Sequence, residues 1–203
     1  FLTQAGTTPG DWYPIGLGRL GIKDNQEGYL AVINDNVQKR YQTSAKLDQA
    51  KATEWHRISL AVLASGGNPR RMGENGEIDL IADGTYNRLD GKGNGILGKQ
   101  GINGFIWGLI AIDSMQYEVP ENAYYSRDDM ILNILNRQLA DGGWALTGNI
   151  SDPDMTSMAI QALAPYYNSE KEYIYENKKL QADGSKITKK VRTVVDEAIS
   201  WLS

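Results

Sequence analysis

Two kinds of helical periodicity alternate along this chain, and the alternation limits what it can build. In residues 26–41, Tyr29, Leu30, Ile33, Val37 and Tyr41 fall on one side, and Asn34, Asp35, Gln38 and Lys39 occupy the other. That is an amphipathic surface helix. Residues 126–139 carry a single stripe of Met130, Ile131, Ile134, Leu135 and Leu139, and residues 188–202 carry Val191, Val194, Val195, Ala198, Ile199 and Leu202. Residues 53–65, 101–115 and 154–167 are instead apolar nearly all round, so they must be covered on every side. The turns before the buried type fall near Asp11, Glu54, Asn103 and Asp154, at spacings of 43, 49 and 51 residues. A two-helix repeat of this length means stacked helical hairpins, an inner layer wrapped by an outer one. Periodicity alone admits a straight stack or a closed ring.

Local punctuation fixes the expected ends. Trp12, Ile15, Leu17 and Leu20 mark a helix over 11–21 that stops at Gly21, with Pro14 expected in its first turn. Gly66, Gly67 and Pro69 end the third helix, a short helix is expected near 77–82, and residues 83–98 read as loop. Ser126 is an expected N-cap, with Asp128 and Asp129 in the positive first turn. Between residues 171 and 186, the alternation around Asp183-Gly184 is compatible with a small β-hairpin.

At 203 residues the chain is long enough for one domain with a proper core. Its net charge of -4 has no block of one sign, which disfavours a nucleic-acid partner. No run of about 18 apolar residues is present, so no membrane span is expected. Without cysteine there is no disulfide, no thiolate metal site and no thiol nucleophile, and the single histidine, His56, rules out a His-rich metal site. The first residue, Phe1, is not an initiator Met, and the chain opens abruptly into a helical pattern. We read it as a fragment of a longer polypeptide.

Gln138-Leu-Ala-Asp-Gly-Gly-Trp144 resembles the QW repeat of squalene and hopene cyclases. A looser copy runs from Gln4 to Trp12, and a looser one still from Gln100 to Trp107. Residues 152–163 are similar to the cyclase helix that begins with a DxDD-type acidic motif. The resemblance implies an all-α fold, the α/α-toroid, with about four hairpins here against about six in a full ring. It is closest to the prenyltransferase-like toroid modules of secreted or surface-anchored proteins of Gram-positive bacteria, and it implies an extracellular or cell-surface location. The departures bear on activity. Zinc-dependent prenyl transfer and thioester chemistry both require a cysteine and are excluded. The cyclase acid maps to Asp154, but the last acidic position of the motif is Met155, and a strong acid needs neighbours that steady its conjugate base.

Each candidate residue has a chemical reading and a packing one. Asp152 and Asp154 are candidate catalytic acids. The same pair also serves as an N-cap and a dipole partner around Pro153 at the first helical position. Gln138 and Trp144 read as a clamp between hairpins, with glycines 142 and 143 permitting positive φ and close approach. Asp83, Asn87, Asp90 and Asn94 lack the spacing and final Glu of an EF-hand, so no metal and no cofactor are expected. Trp12, Trp55, His56, Trp107, Tyr166 and Tyr167 are candidate groove-lining residues, together with Tyr117, Tyr124 and Tyr125 near helix ends. The expected function is a non-catalytic module that binds a small molecule, glycan or protein, with other domains of the same polypeptide as further partners. The alternatives are a terpenoid-cyclase-like isomerase using Asp154, a carbohydrate-active toroid enzyme for which no base–acid pair is identifiable, and a cobalamin-carrier-like half.

Overall fold

The computed structural model describes every residue, Phe1–Ser203. The chain is mostly helical, with eight α-helices, short 3₁₀ turns and one two-stranded sheet. It divides into two compact units, Phe1–Lys99 and Gln100–Ser203. No helix is long and apolar enough to cross a membrane.

The first unit holds α1 (Thr8–Leu20), α2 (Gln26–Tyr41), α3 (Thr53–Ala64) and α4 (Leu80–Gly84). Thr7 caps α1 by accepting from the Gly10 amide, and Gly21 closes it in the left-handed conformation, φ 66°. Helix α1 therefore starts earlier than the apolar pattern indicates, and Pro14 stands inside it rather than in its first turn. The boundaries of α2 are those its stripe indicates, and Tyr29, Ile33 and Val37 are its buried positions. Helix α3 packs on α1, α2 and α4 and buries Trp55 through Ser59, Ala61 and Val62. Gly84 ends α4 against the indole: a Cβ there would stand 2.3 Å from the Cβ of Trp55.

Where α1, α2 and α3 meet, the unit buries charge. Asp11 is wholly buried; its Oδ1 accepts from the Gly6 amide at 2.7 Å and from the Tyr29 hydroxyl at 2.8 Å, and its Oδ2 accepts from Arg57 Nε at 2.9 Å. The rest of the Arg57 guanidinium is held by Glu54 and by the Gly6 carbonyl at 3.1 Å, while Arg40 reaches Glu54 from α2 at 3.1 Å. Burial alone raises the Glu54 carboxyl, and the two guanidinium groups more than reverse it, leaving it below its ordinary value.

The second unit contains α5 (Ile102–Asp113), α6 (Arg127–Leu135), α7 (Pro153–Leu163), β1 (Glu172–Glu176), β2 (Lys186–Lys190) and α8 (Val191–Leu202). Helix α5 is buried nearly all round and packs on α6 and α7; α7 also meets α8. Ser126 caps α6 in a reciprocal box with Asp129. Helix α7 departs from the expected all-round burial: Met155, Thr156, Ala159, Ala162 and Leu163 are its only buried residues. It also stops short of Tyr167, continuing as a 3₁₀ turn through Pro165, whose ring lacks the N–H an α-helix needs. The hairpin expected around Asp183-Gly184 is present, with those two residues inside its connection. Glu172 pairs with Lys190 and Glu176 with Lys186 across the connection 177–185, and β2 takes the residues expected to begin the last helix.

The turn between α6 and α7 ties four elements. Trp144 is fully buried, and its Nε1 donates to the Ile134 carbonyl at 2.8 Å; its backbone N–H donates to Thr156 Oγ1 at 3.0 Å. Gln138 Nε2 donates to the carbonyls of Gly142 at 2.9 Å and Val194 at 3.2 Å, reaching α8. Asn177 Nδ2, after β1, donates to the Gln138 carbonyl at 2.9 Å. Gly142 has φ 98°, and a Cβ there would lie 2.8 Å from the Glu197 carbonyl oxygen, so strain and contact both require glycine.

Two substitutions test these ties by urea unfolding. Arg57→Leu leaves Asp11 as an uncompensated buried carboxylate and is expected to cost about 3–5 kcal/mol, with the double change Asp11→Leu/Arg57→Leu recovering part of it. An Arg57→Leu loss below about 1 kcal/mol would show that the network carries little. Gln138→Ala strips two buried carbonyls of their donor and is expected to cost about 2–4 kcal/mol.

Candidate functional site

A concave site lies within the first unit, between the 44–49 loop that follows α2 and the 83–99 segment that follows α4. It is a cleft of about 870 Å³ lined by Lys46, Asp48, Asp83, Arg88, Asp90 and Lys99, with smaller polar residues between them. That volume lies within the range of small-ligand sites. The lining alternates in charge, three cations with three carboxylates.

The carboxylates are already engaged. Asp83 Oδ2 accepts from Lys46 Nζ at 2.7 Å and from the Tyr41 hydroxyl at 3.0 Å. Asp48 Oδ1 accepts from the amides of Ala50 and Lys51, both at 2.7 Å. Asp90 turns back on its own loop, accepting from the amides of Lys92 at 2.8 Å and Asn94 at 2.9 Å. These bonds hold the Asp90 carboxyl below its ordinary value, with the Asn94 side chain as the largest cause. The Asp/Asn-rich loop singled out for its composition is thus a hydrogen-bonded turn closed by a bridge between Leu89 and Gly95.

Lys46 is one of two non-glycine residues with positive φ, at 48°. That backbone conformation is uncommon outside glycine, asparagine and aspartate, and it places the ammonium on Asp83 and 5.0 Å from the Tyr41 ring centroid. Beneath it, Trp55 Nε1 donates to Tyr41 Oη at 2.7 Å. Burial, and then the Asp83 charge, push the Tyr41 phenol far up, so it stays protonated at any ordinary pH. Arg88 covers the other side of the indole, its Cζ 3.9 Å from the ring centroid. It is only 5% exposed, and its hydrogen bond to protein runs from Nη2 to the Asp48 carbonyl at 2.6 Å.

Two residues expected in an open groove are therefore corrected. Trp55 has no exposed surface, and His56 is 1% exposed. They form the packed floor under the cleft because α3 is enclosed on the sides that face α1, α2 and α4. The His56 Nε2 lies 2.6 Å from the Gly84 carbonyl; a carbonyl only accepts, so the ring proton sits on Nε2. Nδ1 is left buried without a partner. Desolvation pushes His56 down to about 4, partly opposed by the Gly84 bond.

The remaining candidates lie elsewhere. Trp12 is 45% exposed on α1, and Trp107 is half-buried on α5. Tyr166 donates to Asp113 Oδ2 at 2.6 Å, beside the Arg127–Asp113 pair, so it fastens the segment after α7 to the end of α5. Tyr167 donates to Asp196 Oδ1 on α8 at 2.9 Å. Asp152 caps α7 through the Met155 amide at 2.8 Å, and Asp154 is exposed in the first turn of that helix. Sequence reasoning did not single out Lys46, Arg88 or Lys99. No protein-family model, curated protein or solved structure matches the chain.

His56 gives the first unit a pH signature. Its folded value of about 4 lies below the ordinary 6.5, so between the two the unfolded chain binds more protons. The contribution is complete above about pH 6.5 and is lost as the pH falls toward 4, about 3 kcal/mol across that window. His56→Gln, which keeps a donor for Gly84, is expected to unfold with a shallower acid dependence than the parent between pH 6.5 and 4. Parallel curves would refute the assignment.

Proposed function

We propose that the chain is a non-catalytic binding module of α/α-toroid type, belonging to a secreted or surface protein, with the polar cleft of the first unit as its ligand seat. Support for the architecture comes from the alternating helix types and from the direct packing of α1 on α3 and of α5 on α7. The resemblance of residues 138–163 to toroid repeats adds to it.

One observation carries the functional reading: the cleft assembles charge without a group free to move a proton. Asp83, Asp48 and Asp90 are each held by internal donors. Tyr41 keeps its proton, and the one imidazole is sealed under Gly84. A general base must reach its substrate with a free acceptor, whereas these carboxylates are engaged by internal donors and the imidazole is buried. The arrangement suits holding a polar ligand.

The cyclase-like alternative asks Asp154 to protonate an alkene. That chemistry needs a dry pocket and neighbours that steady the conjugate base, whereas Asp154 is exposed and followed by Met155. Packing accounts for both acids. Asp152 provides the cap, and Asp154 complements the positive end of the helix.

The test pairs turnover with stability. Asp152→Ala is expected to lower stability by about 1 kcal/mol and Asp154→Asn by a few tenths, roughly, as cap and dipole changes do. The parent protein is expected to convert neither a polyprenoid nor an acidic polysaccharide. A polyprenoid turnover abolished by Asp154→Asn in a folded protein would replace the binding reading with the cyclase one. Release of unsaturated sugar products would replace it with a lyase.

A further inference from the structure

Arg88 stands apart from the other buried and half-buried guanidinium groups of the chain. Arg57 is matched by Asp11 and Glu54, and Arg40 by Glu54. Arg137, which lies over Phe105 in the second unit, donates from Nη1 to three oxygens on Asn133 and Asn136. Arg88 is more than nine-tenths buried yet forms no ion pair; it has one carbonyl acceptor, and its Nε is buried with no partner at all. Burial depresses its pKa, opposed by Tyr41 and then by Asp83 and Asp48.

Its surroundings explain why no internal carboxylate completes it. Asp83 is committed to Lys46 and Tyr41, Asp48 to two amides, and Asp90 to its own loop. Trp55 fixes the plane of the guanidinium from one side. At the rim, exposed Lys99 donates to the Gln49 carbonyl at 3.3 Å and forms no ion pair, though its charge acts on Asp90 from a distance. A buried guanidinium in the wall of a cavity large enough for a monosaccharide, with an exposed ammonium at the rim, is a recognition element for a planar or tetrahedral oxyanion.

We propose that this cleft seats the oxyanion of a small polar ligand, a carboxylate or a phosphate, on Arg88, with Lys99 as the second cation. The inference rests on the binding-module reading and specifies its ligand chemistry. The oxyanion completes the guanidinium, and the polar lining is left to hydrogen-bond the rest of the ligand. Lys46 stays on Asp83 and shapes the wall.

The Arg88 Nε–H signal in NMR spectra of the full chain reports the event through the guanidinium it belongs to, because no other acceptor holds that group. Titration with glucuronate, glucose 6-phosphate, inorganic phosphate and glucose separates the sources. Glucuronate alone moving the signal identifies a carboxylate ligand; both phosphate compounds alone identify a phosphate; movement by all three anions supports the shared chemistry. Arg88→Lys, which keeps the charge and loses the fork, is expected to weaken binding about tenfold or more. Lys99→Ala, at an exposed position that leaves the fold intact, is expected to weaken it about threefold, as is added salt. Glucose binding as well as glucuronate, with Lys99→Ala neutral, would overturn the oxyanion assignment and leave the binding-module reading standing. Saturation by none of the four would also overturn it. Turnover of any of them would instead remove the binding-module reading.

Discussion

The buried carboxylate of Asp11 is the constraint around which the first unit is arranged. A charge with no exposed surface must be matched inside, and the match draws on three helices. The phenol of Tyr29 comes from α2, the guanidinium of Arg57 from α3, and the Gly6 amide from the turn before α1. Such a network adds little net stability compared with a well-packed apolar one, because desolvation offsets most of the attraction. Its effect is on specificity: a slip of any of the three helices strands a charge. That consequence reaches the cleft, since α3 also carries Trp55 and His56, and α2 ends in Tyr41. A fixed α3 therefore fixes the floor on which Arg88 lies.

The second unit meets the same problem, the start of a packed helix after a turn, with neutral groups. Gln138, Trp144 and Thr156 satisfy backbone donors and acceptors without burying any formal charge. Neutral amide and indole bonds do not titrate and are little affected by salt. Acid should therefore act on the first unit, where burial holds His56 neutral. The first unit anchors the start of a packed helix with charge and the second with neutral amides and an indole.

Much of this organisation was legible in the sequence, and particular residues show why. The bounds of α2, the Ser126 cap, the Asp152-Pro153-Asp154 start of α7 and the Gly21 stop depend on neighbours within a few positions, so local chemistry decides them. Thr7 as a cap was missed because the apolar pattern begins only at Trp12, and Pro14 then drew the start too late. The hairpin around Asp183-Gly184 was legible, but its second strand takes residues 188–190, which the helical pattern assigned to the last helix. Of the cleft, only the acidic and amide side, Asp83, Asn87 and Asp90, stood out in the sequence, and its cations did not. Lys46, Arg88 and Lys99 come from loops without periodicity, and only tertiary packing brings residues 46 and 83 within 2.7 Å. Aromatic composition pointed to a groove of tryptophans and tyrosines. In the structure Tyr166 and Tyr167 are fasteners and Trp55 is a floor, because a phenol or an indole can join an apolar face to a polar partner.

Trp55 also explains how an unmatched guanidinium is tolerated. Leaving a buried charge unpaired ordinarily costs several kcal/mol, and most such groups neutralise or find a counterion. Arginine does not give up its proton in proteins, so the cost must be met by other means. A desolvated cation over an indole face recovers on the order of 2 kcal/mol, and a charge-assisted bond to a carbonyl about as much again. Those two contacts orient the group without cancelling its charge. A carboxylate in the same place would have stabilised the first unit further and removed the field from the cleft. Engaging Asp83 with Lys46, and Asp48 and Asp90 with backbone amides, keeps the three nearest acids from doing so. The cleft is thus held open electrostatically as well as sterically. An incoming anion meets a site whose orientational cost was met during folding.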